Sequence, residues 1–167
     1  MHKLEIIREN GNVPKSLAGE DHVTGLIAYM TSAEIPAGFK QERVQAVSTI
    51  DRAEALGITA DAESWAVKVL HYQLSEIFRI NPAISLYLGV FTKPDAYTFV
   101  EIKTVQNYAG GRIRQMGVWC GDKAFAADDV VAIQGVAAAL DLVNAPLSVL
   151  YAPKIDKVGN LPTDVAG

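Results

Sequence analysis

The chain is poor in the side chains that hold metals. It has a single cysteine, Cys120, and three histidines among its 167 residues. One thiol excludes an internal disulfide framework and any zinc or iron–sulfur site that needs several cysteines. The histidines, His2, His22 and His71, lack the one-turn spacing of the H-E-x-x-H metalloprotease pair. The sequence therefore predicts no metal centre and no cofactor.

Long apolar runs and an excess of positive charge are also missing. Uncharged apolar-rich stretches such as Val130–Leu140 are shorter than the ~20 residues that cross a bilayer. The first residues, MHKLEIIREN, mix charged with apolar side chains, unlike a secretory signal. The net charge of −4 gives no general attraction to nucleic acid or to an anionic membrane. We expect neither as a partner.

Motifs of phosphate binding and nucleophilic catalysis are absent as well. The patterns G-x-x-x-x-G-K-[S/T], G-x-G-x-x-G and G-x-S-x-G do not occur. The paired glycines Gly110-Gly111 follow a predicted helix and are typical of its C-terminus. Cys120 follows Trp119 at a predicted strand end, near Lys123. A small hydrophobic residue is the favoured interpretation of Cys120, and a nucleophile is the alternative. We expect no enzymatic activity.

What is present is a pattern of five strands and four helices. Strands are expected at Val23–Met30, Val44–Val47, Ser85–Phe91, Ile113–Trp119 and Leu147–Tyr151. Helices are expected at Thr49–Leu56 with Ser48 as N-cap, from Thr59 or Asp61 to Arg79, from Pro94 to Tyr108, and from Asp128 or Asp129 to Asn144. Gly25, inside the first strand, predicts a bulge or a close backbone approach.

This order of elements predicts an α/β fold. From Val44 onward strands alternate with helices, which favours a mixed, largely parallel sheet with helices on both faces. The first strand is expected at either edge. Polar segments flank the body, so we divide the chain into an N-terminal arm at 1–22, an α/β domain at 23–155 and a C-terminal tail at 156–167. The arms are expected to be extended, and the tail to be truncated or to lead into a missing domain.

The N-terminal arm contains the predicted interface residues. They are Lys3, Leu4, Glu5, Ile6, Ile7 and Arg8. Leu4 and Ile6 stand at alternate positions, so an extended segment can add a strand to an exposed sheet edge on another chain. Backbone hydrogen bonds would supply the adhesion and the side chains would set the register. A frayed tail is the alternative interpretation.

Two groups of charged residues have ordinary structural interpretations. Asp128 and Asp129 precede a predicted helix, where N-capping and the helix dipole explain both carboxylates. Arg112 and Arg114 alternate along a predicted strand and, with Lys103, form a small basic surface. That surface either faces solvent or contacts an acidic partner.

An α/β sheet also raises the alternative of a small-ligand or nucleotide-binding domain. In such folds the ligand lies at the C-terminal ends of the strands. Here those ends are expected at Phe91–Pro94, Cys120–Lys123 and Ala152–Lys154. A pocket formed by these three segments would favour this alternative.

Five blocks of the sequence resemble phage contractile-tail sheath proteins, and most closely the uncharacterised sheath-like family from prophages of gut Bacteroidetes. The blocks are GNVPKSLAGEDHVTGLIAY, STIDRAEALGI, LHYQLSEIFRINPAISLYLGVF, IRQMGVW and PLSVLYAPKI. They extend from about Gly11 to Ile155. The resemblance lies in the order of the blocks and in their local sequence, and it includes no catalytic signature.

The resemblance implies a structural assembly protein, a subunit or N-terminal fragment of a tail sheath that polymerises around an inner tube. Its partners would be further copies of itself, through arm exchange, and the tail tube protein. Lys3–Arg8 matches the family's N-terminal arm in position. Its implied location is the bacterial host cytoplasm during assembly and then the virion tail. Sheath proteins usually continue with further strands, a C-terminal domain and a C-terminal arm.

Overall fold

The computed structural model describes residues 23–155. The strands are β1 (Val23–Met30), β2 (Val44–Val47), β3 (Ser85–Thr92), β4 (Gln115–Ala124) and β5 (Ser148–Lys154). The helices are α1 (Ile50–Ala55), α2 (Trp65–Ile80), α3 (Glu101–Tyr108) and α4 (Ala127–Asp141), with a 3-10 turn at Ala37–Phe39. None of the helices in this range is long and apolar enough to cross a membrane. The predicted arm, with Lys3–Arg8, and the tail lie outside the described residues.

The strands form one mixed sheet in the order β2-β3-β1-β4-β5. β1, β3, β4 and β5 run parallel, and β2 pairs antiparallel with β3 at one edge. The predicted α/β class with a largely parallel sheet is therefore confirmed. The edge position expected for β1 is wrong, because Ile27 faces Gly89 of β3 on one side and Val118 of β4 on the other.

Helices cover both faces of the sheet, as predicted. On one face α3 and α4 bury a core that includes Ile27, Tyr29, Ile102, Val105 and Ile133. On the other face α1 and α2 bury a second core, whose helical contribution includes Val67, Leu70 and Leu74. The strand residues of this second core come from β1, β2 and β3. No helix within residues 23–155 covers the α2 side of β5, and Leu150 there is 68% exposed.

The starts of α1 and α2 differ from the prediction by a few residues. Thr49, not Ser48, caps α1, since its Oγ1 accepts a hydrogen bond from the Arg52 amide at 3.2 Å. Ser64, not Thr59 or Asp61, caps α2 in the same way through the Val67 amide at 3.4 Å. In both cases several hydroxyl or carboxylate residues stand close together in the sequence, and Ser64 also donates a hydrogen bond to Glu34 Oε1 at 2.8 Å.

The later elements also shift. α3 begins at Glu101 rather than at Pro94, and α4 ends at Asp141 rather than at Asn144. Phe99 and Asn144 adopt positive φ values of 55° and 59°, which interrupt helical geometry next to α3 and α4. β4 continues past its predicted end to Ala124.

Gly25 provides the close approach that its place in β1 predicts. A Cβ atom at this position would lie 2.9 Å from Met116 Cε and 3.2 Å from Ile113 Cδ1. The other expectation, a bulge, is wrong, because β1 pairs with β3 and β4 in continuous register around Gly25. The missing side chain therefore makes room for the side chains of Met116 and Ile113 rather than bending the strand.

Candidate functional site

The C-terminal ends of the parallel strands surround a cavity of about 420 Å³, which we call the strand-end pocket. Its lining includes Glu34, Trp65, Lys93, Trp119, Asp122 and Lys154. The three segments predicted for a ligand pocket meet here: Phe91–Pro94 contributes Lys93, Cys120–Lys123 contributes Asp122, and Ala152–Lys154 contributes Lys154. The sequence did not single out Glu34 or Trp65, because neither residue follows a strand directly.

The topology explains why a cavity forms at this place. After β1 the connection to β2 packs on the face of α1 and α2 through Ile35 and Phe39, whereas after β3 and β4 the chain leads to α3 and α4 on the other face. β1 lies between β3 and β4 in the sheet. At its C-terminal end the chain after β1 therefore goes to one face of the sheet, and the chain after each of its two neighbours goes to the other face. Such a switch point leaves a crevice beyond the strand ends in α/β sheets.

A bulge in β4 shapes one wall of the pocket. The pairing of β4 with β5 changes register between Trp119 and Ala124, and Gly121 within this segment has φ +62°. Positive φ favours glycine, which has no Cβ to clash with the backbone. A Cβ at Gly121 would lie 3.6 Å from Lys93 Cε and Nζ. The bulge therefore presents Asp122 to Lys93 at the mouth of the pocket.

Charges of both signs converge in the strand-end pocket. Lys93 Nζ donates a hydrogen bond to Asp122 Oδ1, and this bond holds the pKa of Asp122 below its usual range, with a further contribution from the charge of Lys154. Glu34 accepts hydrogen bonds from Thr31 Oγ1 at 2.7 Å, from the Thr31 amide at 3.0 Å and from Ser64 Oγ at 2.8 Å. The bonds from Thr31, followed by the bond from Ser64, lower the pKa of Glu34.

Cys120 does not belong to the pocket. Its side chain lies in the core beneath α3 and α4, where it is fully buried. Burial raises the pKa of the thiol to about 12, which outweighs the opposing charge of Lys123. The interpretation of Cys120 as a small buried residue is confirmed, since a thiol in this environment stays protonated at neutral pH.

The carboxylates of Asp128 and Asp129 do not cap α4, contrary to the prediction. The N-cap is Ala126, and both aspartates stand in the first helical turn. Asp129 is buried, and its Oδ2 accepts hydrogen bonds from Lys123 Nζ and from Tyr151 Oη, the latter at 2.5 Å. This carboxylate joins α4 to β4 and β5, a long-range contact that capping patterns do not reveal.

The predicted alternation of Arg112 and Arg114 along a strand is also wrong, because β4 begins at Gln115. Arg112 donates to the Ala109 carbonyl at 3.0 Å and to Tyr87 Oη at 2.6 Å. Arg114 donates to the Gly111 carbonyl at 2.9 Å. Both guanidinium groups therefore stabilise the turn between α3 and β4, where Gly110 and Gly111 adopt the positive φ expected of a helix end.

Aromatic rings fill the space between the pocket and α3. Tyr29 lies edge-on to Tyr97 with ring centroids 5.0 Å apart, and its hydroxyl donates to Glu101 Oε2 at 2.8 Å. Phe99 contacts Tyr29 and Tyr151 in the same edge-on manner. Burial raises the pKa of Tyr97 to about 12 and the pKa of Tyr29 well above its ordinary value. These phenols remain neutral and fix the loop between β3 and α3.

A second concave surface lies on the open face of the sheet. This β5 groove, about 340 Å³, lies between α2 and strands β4 and β5 and is lined mainly by apolar side chains, including Leu26, Tyr72, Ile77, Trp119, Leu150 and Ala152. Among the described strands β5 pairs only with β4, so its other edge has no strand beside it. Leu150 and Ala152 belong both to the groove and to this strand, so the groove and the edge adjoin each other.

Within residues 23–155 no group of three or more His, Cys, Asp or Glu residues could hold a metal ion. His71 instead pairs with Glu54, with Nε2 2.9 Å from Oε1. Comparisons with protein-family models, with curated proteins and with solved structures find no match. The resemblance to sheath proteins stays a prediction from the sequence.

Proposed function

We propose that this chain is a structural assembly protein, a subunit or the N-terminal part of a phage-like contractile tail sheath that polymerises around an inner tube. The observation that supports it most directly is that no other element of residues 23–155 pairs with the outer edge of β5 or covers its α2 side, where Leu150 is 68% exposed. An uncovered edge strand is a ready template for pairing with another chain. The order of the sequence blocks that resemble sheath proteins gives independent support.

The occupant we assign to this surface is the Lys3–Arg8 segment of a second copy. Added as a strand beside β5, its backbone would pair with the free edge, and Leu4 and Ile6 would pack near Leu150 over the β5 groove. The 14 residues at positions 9–22 separate this segment from β1. Such a linker spans at most about 50 Å, which is enough to reach a neighbouring domain.

Each copy would offer one arm and accept one arm. Such an interface is heterologous, since the two contributing surfaces differ, and it propagates into a ring or a filament according to the rotation between copies. This is the geometry that a sheath around a tube requires. The tail tube protein is the second partner in the proposal, and no catalytic step is part of it.

The test uses three variants of the chain, measured by size-exclusion chromatography with light scattering over a range of concentrations. One variant lacks residues 1–12 and keeps the β5 edge. Leu150→Lys keeps the arm and places a charge in the groove. Val131→Lys is the matched control, because Val131 on α4 is similarly exposed, at 66%, but lies away from the groove.

We expect the unmodified chain and Val131→Lys to form concentration-dependent oligomers, and the other two variants to be monomers. Mixing these two should give a 1:1 dimer that grows no further, because only one arm and one edge remain competent. A monomeric unmodified chain, or a mixture that stays monomeric, would contradict assembly through this arm.

A further inference from the structure

We infer that the strand-end pocket binds a small planar aromatic anion, such as an aromatic carboxylate, a function distinct from assembly at β5 although Trp119 lines both the pocket and the β5 groove. The position of the pocket is the first argument. It lies at the topological switch point beside β1, where ligands of α/β sheets bind. Its volume of about 420 Å³ falls within the range of about 300–1,000 Å³ that is common for small-molecule sites.

The side chains of Lys93 and Lys154 in the pocket indicate that the ligand carries a negative charge. Lys93 already holds a carboxylate, that of Asp122, whose side chain is 76% exposed while that of Lys93 is 27% exposed. An exposed side chain moves aside at little cost, since exposed ion pairs contribute little free energy. A ligand carboxylate can therefore take the place of Asp122 on Lys93, within the field of Lys154.

The indole side chains of Trp65 and Trp119 indicate that the ligand contains a planar aromatic ring. Trp65 is 77% exposed although it is the first residue of α2, and Trp119 lies across the pocket on β4. Large exposed aromatic side chains at a concave surface are typical of binding sites, because they give contact area at little entropic cost.

Glu34 determines the orientation of the ligand. Its carboxylate is held by Thr31 and Ser64 beside the N-terminus of α2, so this side of the pocket already contains a negative charge. The ligand's anionic group is therefore directed away from Glu34 and toward Lys93 and Lys154, with the ring beside Trp65. The N-terminus of α2 itself takes no part in binding the anion.

The test is a titration of the full chain with 2-naphthoate, followed by amide and indole signals in ¹H–¹⁵N NMR spectra. The neutral 2-naphthamide is the matched ligand, since it has the same ring without the charge. We expect saturable binding of 2-naphthoate with a Kd of about 0.1–1 mM, a range reasonable for a ligand of this size. We expect about tenfold weaker binding of the amide, because a charged hydrogen bond is lost.

Variants separate the two parts of the pocket. Trp65→Ala and Lys93→Met should each weaken the binding of 2-naphthoate about tenfold. The controls are Tyr108→Ala, an exposed aromatic on α3 outside the pocket and the β5 groove, and Lys40→Met, an exposed lysine elsewhere; neither should change Kd. Asp122→Asn should tighten binding severalfold, a gain that damage to the fold would not produce.

Three results would overturn the inference. The first is the absence of saturable binding, and the second is equal affinity for the amide and the carboxylate. The third is an Asp122→Asn variant that binds no more tightly than the unmodified chain. The residues tested for ligand binding are different from residues 1–12 and Leu150, which test assembly. A negative binding experiment therefore leaves the assembly proposal unchanged, and a negative assembly experiment leaves the ligand inference unchanged.

Discussion

Gln106 Nε2 donates a hydrogen bond to the main-chain oxygen of Ala145 at 3.0 Å and so joins α3 to the segment that precedes β5. The same amide donates to the Ile113 carbonyl at 3.0 Å, and its Oε1 accepts from the Ile113 N–H at 3.1 Å. Gln106 is fully buried. One side chain thereby satisfies backbone groups ahead of both β4 and β5, the strands that form the groove and part of the pocket.

Replacing the side-chain amide of Gln106 should therefore lower the stability of the protein. Gln106→Leu leaves buried backbone groups of Ile113 and Ala145 without partners, and we expect the free energy of unfolding to fall by about 2–4 kcal/mol. Urea denaturation followed by circular dichroism measures the change. Gln134→Leu, at an exposed position of α4, is the control and should stay within about 0.5 kcal/mol of the unmodified chain. A loss below about 1 kcal/mol would contradict the role of Gln106.

Two glycines should respond to alanine in opposite directions. A Cβ at Gly89 in β3 would lie 2.6 Å from Phe91 Cε2 and 2.8 Å from Val105 Cγ2, so Gly89→Ala should destabilise by about 1–3 kcal/mol. A Cβ at Gly135 in α4 would have no atom of residues 23–155 within 4 Å, and Gly135→Ala should stabilise the protein by up to about 1 kcal/mol. Thermal unfolding of both variants checks the pair. Equal shifts would show that the core does not constrain Gly89.

Glu34 should make stability depend on pH. Its pKa in the folded state lies below the ordinary value of 4.5, so its stabilising contribution is present above that pH and is lost as the pH falls through the folded value. Glu34→Gln should cost about 0.5–1 kcal/mol at pH 7, because solvent screens part of the effect, and the difference should vanish in acid. Urea titrations at several pH values measure it, with exposed Glu63→Gln as the control. A difference independent of pH would contradict this origin.

Cys120 should be unreactive in the folded protein. Burial raises its pKa to about 12, so at pH 8 the thiol is protonated and also inaccessible. We expect a disulfide reagent such as DTNB to modify it at least about 100-fold more slowly in the native state than in concentrated guanidinium chloride. Rapid modification of the native protein would show that Cys120 is accessible to solvent or has a lower pKa.

Local patterns predicted the strands and helices because runs of apolar residues, caps and turn residues act over a few positions. The three strand ends that form the pocket could be predicted for a related reason, since parallel strands end at the same side of a sheet. The hydrogen bond between Asp129 and Tyr151 could not be predicted, because the two residues are 22 positions apart. Helix capping also gave a sufficient local explanation for the carboxylate of Asp129. The position of β1 was missed because pairing is decided between segments distant in sequence.

The sequence by itself determined the α/β class, the order of the elements and the segments at the strand ends, and it favoured a buried position for Cys120. These properties depend on hydrophobic periodicity and on residues close in sequence. Only the tertiary structure decided that β1 is central, that Lys93 meets Asp122, and that no helix within the described residues covers the α2 side of β5. These properties depend on which strands pair and on how far two helices extend across a five-stranded face, and packing between distant segments determines both.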